Sequence, residues 1–379
     1  MQRDSGAPLF EFFAGGGLAR LGLEPDFRCV FANDIDPAKT TTYRRAFGGE
    51  DIRDGDIWKR SPADLPGQAA LAWASFPCQD LSLAGARRGL AAPRSGAFWG
   101  FHRLIEKLNA EGRAPEVLTL ENVCGLLSSH GGADFSALVH ALDDLGYRVG
   151  ALEIDAALFT PQSRPRLFIV ASRRAPAPLI ASGPSEPFHS QALRNVVARM
   201  PDGLRKRFVW WRLDTPPVRN TRLADLLEDD AHVAWNTPEQ TQRLVGQMSA
   251  LQRARLDALR EGGRREVGAV FRRIRVEHGQ RVQRAEARFD GVAGCLRTPA
   301  GGSSRQILLF VEGESVRSRL LAPREAARLM GVPEEYPLPD GQTAALHLIG
   351  DAVCVPVVRW VSQCLLAPLA GATTARLSA

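Results

Sequence analysis

A thiol, a carboxylate and two guanidiniums stand out in this chain because each has neighbours that could put it to use. Cys78 follows Ser75-Phe76-Pro77 and precedes Gln79. Pro77 stiffens the backbone beside a thiol, and a thiol near a helix start or a cation can ionise and act as a nucleophile. A lone cysteine is more often a small core residue, so Cys78 needs partners before it carries chemistry. Glu121 opens Glu121-Asn122-Val123. In a desolvated crevice such an acid can hold a proton and donate it, and elsewhere it would simply cap a helix. Arg164 and Arg166 lie on alternate positions of Gln162-Ser163-Arg164-Pro165-Arg166. In a strand that spacing puts both on one side, where they could grip a phosphate or a carbonyl, or form a surface ion pair.

A further set binds rather than reacts. Phe12-Phe13-Ala14-Gly15-Gly16-Gly17 lets the backbone turn sharply and approach a ligand closely. The run Asn33-Asp34-Ile35-Asp36 follows at about 20 residues, where nucleotide folds place a ribose-binding carboxylate. Gly55-Asp56-Ile57 offers another. These spacings suit a dinucleotide and S-adenosylmethionine equally.

All these groups need strand ends to hold them. Short apolar runs alternate with helical patterns through the N-terminal half, as in a mostly parallel sheet covered by helices. The pattern predicts strands at Leu9–Ala14, Arg28–Ala32, Ala70–Ser75, Val117–Leu120, Gly150–Ile154 and Leu167–Ala171. It predicts a helix at Ser136–Leu145, with Leu138, Leu142 and Leu145 on one face. The glycine turn, Asp34, Cys78 and Glu121 then fall at carboxyl ends, where open α/β sheets bind ligands. Arg173–Pro187, rich in Pro, Ala and Ser, reads as an exit from the sheet domain. The Arg-rich stretch to about Gln306 contains a helical pattern at Gln242–Glu261. Pro323–Met330 has helix-start chemistry, and the apolar Ala352–Leu366 reads as a return to the first domain.

The 379 residues exceed one typical core and suggest two domains, one inserted in the other. No segment resembles a signal peptide and no apolar stretch reads as long enough to cross a bilayer, so a cytoplasmic protein without membrane association is expected. The 6 cysteines include no Cys-x-x-Cys pair and no His cluster accompanies them, so no metal site is expected. Of a net charge of +6, the stretch Gln191–Ala300 carries more than all, with 21 Arg/Lys against 13 Asp/Glu. That is the footprint of a nucleic-acid surface or of an Arg-rich solvated helix.

Taken in order, these pieces resemble the DNA cytosine C5 methyltransferases across nearly the whole chain, except most of the Arg-rich middle. The resemblance is carried by Phe13-Ala14-Gly15-Gly16-Gly17, Asn33-Asp34-Ile35-Asp36, Gly55-Asp56-Ile57, Phe76-Pro77-Cys78-Gln79 and Arg94-Ser95-Gly96-Ala97-Phe98-Trp99. Glu121-Asn122-Val123, Gln162-Ser163-Arg164-Pro165-Arg166, the run Pro323 to Gly331 and Gly350-Asp351-Ala352-Val353 complete it. It implies an α/β fold, a Rossmann-like mixed sheet that binds S-adenosylmethionine, with a smaller inserted target-recognition domain. The division expected is 1–182 with 343–379 for catalysis and 183–342 for recognition.

The resemblance also implies roles. Phe13, Ala14, Gly15, Gly16 and Gly17 would receive the methionine part of S-adenosylmethionine, Asp34 its ribose, Ile35 its adenine and Asp56 the exocyclic amine, with Ile57 also binding the cofactor. Pro77, Asp351 and Ala352 would line the same pocket. Cys78 would attack C6 of a flipped-out cytosine, Glu121 would bond N3, and Arg166 with Arg164 would bind O2 or nearby phosphates. Gln79, Arg87 and Arg88 belong to a loop expected to close over the base, and Arg297, Thr298 and Arg305 to a DNA-reading segment. Leu18 stands where many members have glycine, and Asp351 where Asn is more usual. Trp210-Trp211 is expected to pack a small core. The implied partners are double-stranded DNA and a cognate restriction endonuclease, for a monomeric bacterial or phage enzyme. Three alternatives stay open: a tRNA cytosine methyltransferase of the same family, a nicotinamide-dependent oxidoreductase on the same glycine loop, and a non-catalytic DNA-binding regulator.

Overall fold

The computed structural model describes residues 6–77, 96–277, 279–298 and 305–371. Seven strands form the larger sheet: β1 (Ala7–Phe12), β2 (Phe27–Asp34), β3 (Ile52–Asp54), β4 (Leu71–Ala74), β5 (Val117–Asn122), β6 (Arg148–Asp155) and β7 (Pro165–Ser172). Their order is β3-β2-β1-β4-β5-β7-β6. The first five pair in parallel, and β7 runs antiparallel to both β5 and β6. All six expected strands are present, and three-residue β3 is an addition. Every residue of β4 and β5 is buried, which explains their unbroken apolar texture. Helices supply the cover. In Ala97–Ala110 the buried residues Phe98, Phe101, Leu104, Ile105 and Leu108 recur at helical spacing. Phe12 meets Phe101 edge-on at 5.3 Å. The expected Ser136–Leu145 helix runs Ala133–Asp144 and buries Leu138 and Leu142.

The chain remains on the sheet past the Pro/Ala/Ser-rich stretch. Val209 N–H donates to the Val149 carbonyl at 2.8 Å, and Trp211 Nε1 donates to the Val170 carbonyl at 3.0 Å. A Cβ on Gly150 would lie 2.1 Å from the Val209 carbonyl, so glycine in β6 makes room for this crossing segment. Trp211 is fully buried and Trp210 packs on Phe208, so the tryptophan pair is core of the sheet rather than of a small separate cluster. One compact unit therefore comprises Met1–Asp155, Pro165–Pro216 and Val355–Ala379, and the other Ala156–Arg164 and Pro217–Cys354. Relative to a division at 183 and 343, residues 183–216 pack with the sheet and 343–354 with the second unit.

The second unit holds an antiparallel sheet of order β11-β10-β8-β9, formed by β8 (Glu266–Glu277), β9 (Gln280–Arg288), β10 (Ile307–Glu312) and β11 (Ser315–Leu320). Leu244, Met248 and Leu256 pack with Val270, Ala285, Ala287 and Leu309 on one face. The expected helix Gln242–Glu261 is two helices, Pro238–Gly246 and Ala250–Glu261. Ser249 restarts the helix by accepting from the Gln252 N–H. On the other face Phe310 meets Trp235 at 4.9 Å, and Arg319 forms a fully buried ion pair with Glu325.

One run, Gln342–Ala370, is long and apolar enough to cross a membrane, contrary to the reading of the sequence. Its most apolar window is 61% buried inside the protein, as the apolar helix of a core is.

Candidate active site

Because β2 and β4 flank β1 on opposite sides, chain order reverses between β1 and β4, and the crevice at their carboxyl ends is the fold's natural ligand site. β1 leaves the sheet through a turn in which Phe13 (φ 56°), Gly15 (φ 56°) and Gly17 (φ 81°) are left-handed. Phe13 adopts that conformation without glycine's freedom, at a cost of about 1–3 kcal/mol, the kind of strain that gathers at ligand sites. Gly17 is required twice over, since a Cβ there would also lie 2.4 Å from Phe47. Ala14 N–H donates to the Asn33 carbonyl at 3.0 Å, and Gly16 is buried within the turn. Leu18 begins the helix Leu18–Leu23 and is a core residue, so its departure from glycine leaves the turn before it intact.

Asp34, at the end of β2, accepts from Gly15 N–H at 2.7 Å and from Asp36 N–H at 2.8 Å. Burial raises its pKa above the ordinary carboxylate value, opposed by those two bonds and by Lys39. Beside it Ile35 is 67% exposed, an apolar surface with nothing upon it among the described residues. Asn33 donates its carboxamide to the carbonyls of Arg53 (2.8 Å) and Gly55 (2.9 Å), which fixes the turn carrying Asp56. Asp56 accepts from Trp58 N–H at 3.0 Å, and Ile57 is buried next to it. Each oxygen of the Asp34 carboxylate has accepted one bond and retains capacity for a hydroxyl. A hydroxyl acceptor, an exposed aliphatic surface, a second carboxylate and a strained glycine turn fit the ribose, adenine, amine and methionine portions of S-adenosylmethionine.

The residues expected to react lie beyond β4, two strands away from β2, and at the end of β5. Beyond β4, Phe76 is buried against Phe98 and Pro77 is exposed. Asn122, at the end of β5, donates to the Phe76 carbonyl at 3.3 Å and accepts from Val123 N–H at 2.8 Å. This ties the segment leading to Cys78 to the strand that bears Glu121. Glu121 is 6% exposed and lies 3.1 Å from Nε of Arg166 on β7. Cys78, Gln79, Arg87 and Arg88 lie outside the described residues.

Arg164 does not join this group. It precedes β7 rather than lying within it, so the alternate-position rule for strands does not apply. It is 1% exposed and donates to the carbonyls of Leu296 (2.7 Å), Gly350 (2.9 Å) and Ala352 (2.7 Å), all within the second unit. Asp351, exposed, and Ala352 end the helix Gln342–Asp351 in that unit. A Cβ on Gly350 would lie 2.6 Å from the Thr298 nitrogen, so glycine lets the Arg297–Thr298 backbone pass close to this helix. Arg297 is exposed, and Arg305 donates to Thr343 at 2.8 Å. Two residues quoted in motifs without a role prove to be organisers. One is Asn122. The other is Gln162, fully buried, which donates to the Leu329 carbonyl at 3.0 Å and accepts from Leu296 N–H at 3.3 Å.

A parallel-dominated sheet with an antiparallel edge hairpin, and a strained glycine turn at its switch point, defines an α/β fold of nucleotide-binding type. The model of the C-5 cytosine-specific DNA methylase family matches residues 8–366, and the chain belongs to that family. The type II methyltransferase M.NlaX of Neisseria lactamica is 27% identical over 366 residues, covering 95% of this chain and 96% of its own. M.HhaI of Haemophilus parahaemolyticus is 24% identical, with 94% of each covered. The crystal structure of the S. pombe Dnmt2 methyltransferase shares the fold, with TM-score 0.62 and 18% identity over 94% of this chain and 97% of that one. The chain is thus a C5 cytosine DNA methyltransferase of restriction-modification type, in a family whose methyl donor is S-adenosylmethionine.

Proposed function

We propose that this enzyme methylates a cytosine flipped out of a specific duplex sequence, through a bond from Cys78 to C6. The observation that supports this most is the Asn122 tie, which holds the approach to Cys78 against the strand carrying Glu121. C5 of cytosine is a poor nucleophile until C6 carries a covalent substituent. The Cys78 thiolate forms the sulfur–carbon bond while Glu121 gives a proton to N3, so the ring's electrons collect toward C5. When bound, S-adenosylmethionine supplies a methyl group activated by its sulfonium. A base, here a water, then removes the C5 proton, the C5–C6 double bond re-forms, and the sulfur leaves with its electron pair. Glu121 recovers the N3 proton. Arg166, held at Glu121, would contact O2 of the base or the adjoining phosphate.

Within this reading Phe13 to Gly17, Asp34, Ile35, Asp56, Ile57, Pro77, Asp351 and Ala352 hold the cofactor. The segment Gln79 to Ser95, with Arg87 and Arg88, closes over the base, and Arg297, Thr298 and Arg305 read the duplex. Arg164 acts here as an organiser of the second unit rather than as a substrate ligand. The protein works as a monomer in a bacterial or phage modification system, beside an endonuclease of the same specificity. Duplex DNA carrying 5-fluorocytosine at the site revealed by bisulfite sequencing of host DNA should give a denaturant-resistant adduct with cofactor present. Cys78→Ser should give none. Failure of the wild-type protein to trap on that duplex overturns the covalent mechanism, and transfer to tRNA in preference to duplex DNA overturns the substrate.

A further inference from the structure

β4 ends at Ala74, and Ser75, Phe76 and Pro77 lead from it to Cys78. Pro77 has no N–H, so backbone pairing alone cannot carry the strand to the thiol. Side chains take over. Asn122 holds the Phe76 carbonyl from one face of the sheet. On the other face Trp73, fully buried, donates its indole N–H to Ser75 Oγ at 2.9 Å. The Ser75 N–H reaches the Phe12 carbonyl only at 3.4 Å, longer than a typical backbone bond, so the indole is the closer hold. A buried indole needs an acceptor, and a carbonyl within a strand is enough, as Val170 is for Trp211. Trp73 instead uses the hydroxyl at the end of its own strand.

Strand registers place that hydroxyl on the side of Glu121. Trp73 pairs with Thr119 of β5, and alternation puts Glu121 on the same face as Thr119 and Asn122 on the opposite one. Phe168 of β7 pairs with Glu121, Arg166 precedes it by two residues, and the Trp73 ring lies 6.1 Å from the Phe168 ring. The indole is therefore common ground between the exit of β4 and the strands that hold Glu121 and Arg166. We propose that Trp73 and Ser75 are positioning residues: their hydrogen bond fixes the direction in which β4 ends, and with it the reach of the Cys78 thiol to a cytosine held by Glu121. This rests on the reading of Cys78 as nucleophile and Glu121 as proton donor, and adds two residues that act through them. A displacement of about 1 Å at a reacting centre costs on the order of 100-fold in rate, so one hydrogen bond at the strand end has leverage on the chemistry.

The test compares S75G, S75T, W73F and W73F/S75G with wild type, in methyl transfer to the duplex bearing the mapped site and in adduct formation with its 5-fluorocytosine form. S75G should lower kcat by about 10–100-fold at unchanged KM for DNA and for S-adenosylmethionine, and slow adduct formation in proportion. S75T, which keeps the hydroxyl, should restore both rates. W73F/S75G should be no slower than S75G, because no indole N–H is then stranded in the core. A loss confined to KM overturns the proposal, as do losses that add in the double variant. Should W73F fail to fold, as judged by its thermal melt, S75G against S75T decides: equal loss in both means that the hydroxyl is not the hold. Wild type that neither methylates nor traps on duplex DNA removes the underlying reading. Wild type that does both, with S75G as fast, overturns the Trp73–Ser75 proposal alone.

Discussion

Two arginine–glutamate pairs, one at the end of β5 and one beyond β11, use the same side chains for different ends. Arg319 and Glu325 are both fully buried and joined by two bonds of 2.6 and 2.8 Å. Glu325 accepts two more, from Ala322 N–H at 2.8 Å and Glu228 N–H at 2.9 Å, so its carboxylate is saturated. Arg166 reaches Glu121 through Nε at 3.1 Å, and its side chain keeps 16% exposure. A saturated pair has no capacity left for a ligand and fastens the helix Pro323–Leu329 to its strand. A pair at a strand end with part of its guanidinium at the surface can trade a partner for substrate. Accessibility, more than distance, separates the two pairs: one can take a new partner and the other cannot.

The largest effect expected is on Glu121. Glu121→Gln should lower methyl transfer by about 10²–10⁴-fold, the usual weight of a positioned proton donor, while the melting temperature stays within a few degrees. Transfer within tenfold of wild type would place the proton donor elsewhere and dissolve the contrast. Glu325→Gln should do the reverse, because it strands Arg319 as a buried charge without its countercharge. Breaking such a pair costs about 3–5 kcal/mol, to be read from the denaturant midpoint. A loss below about 1 kcal/mol, measured the same way, would mean that the pair is not scaffold.

Glu11 offers a third arrangement, a buried acid on β1 whose cation is engaged elsewhere. Arg20 gives Glu11 only its backbone N–H at 3.3 Å and spends its guanidinium on Glu24, Tyr43 and Asp51. Burial, partly opposed by Arg20, pushes the Glu11 pKa up to about 8. The folded state therefore holds a proton that the unfolded chain releases near the ordinary value of 4.5. The associated stability is complete below that pH and is lost as pH rises through about 8, on the order of a few kcal/mol. Thermal melts from pH 5 to pH 8 should show this decline in wild type and a flatter profile in Glu11→Gln. Parallel profiles would mean that Glu11 is ionised throughout.

Much of this was legible in the sequence, and the failures share a cause. Fully buried parallel strands write continuous apolar runs, so the sheet and the strand-end placement of Asp34 and Glu121 could be read directly. The unit boundary could not, because composition changes at Arg173 whereas packing changes at Pro216. The crossing at Gly150 and the Trp211 bond to β7 leave no periodic trace. Arg164 was read with Arg166 because alternate positions share a side only inside a strand, and β7 begins at Pro165. The apolar helix Gln342–Asp351 has the same texture whichever unit it packs in. Nothing in the spacing distinguishes Arg319, wholly buried, from its exposed neighbour Arg317.

That last pair gives the smallest and most discriminating test. Arg317 and Arg319 share one face of β11, and both guanidiniums lie over Trp235, at 4.0 and 5.6 Å from the ring centre. Arg317 is 46% exposed on its side chain and pairs with Asp230 at 2.9 Å, a contact open to water and salt. A cation near the surface over a half-buried ring such as Trp235 and a surface ion pair are each worth about 0.5–1 kcal/mol or less. Arg317→Ala should therefore cost about 1 kcal/mol at low salt, and its ion-pair share should fade in molar salt, where screening acts within about 3 Å. The cost of Glu325→Gln should not fade, since no solvent reaches Arg319. If salt erodes both losses equally, the buried pair is open to water and the division between saturated and accessible pairs fails.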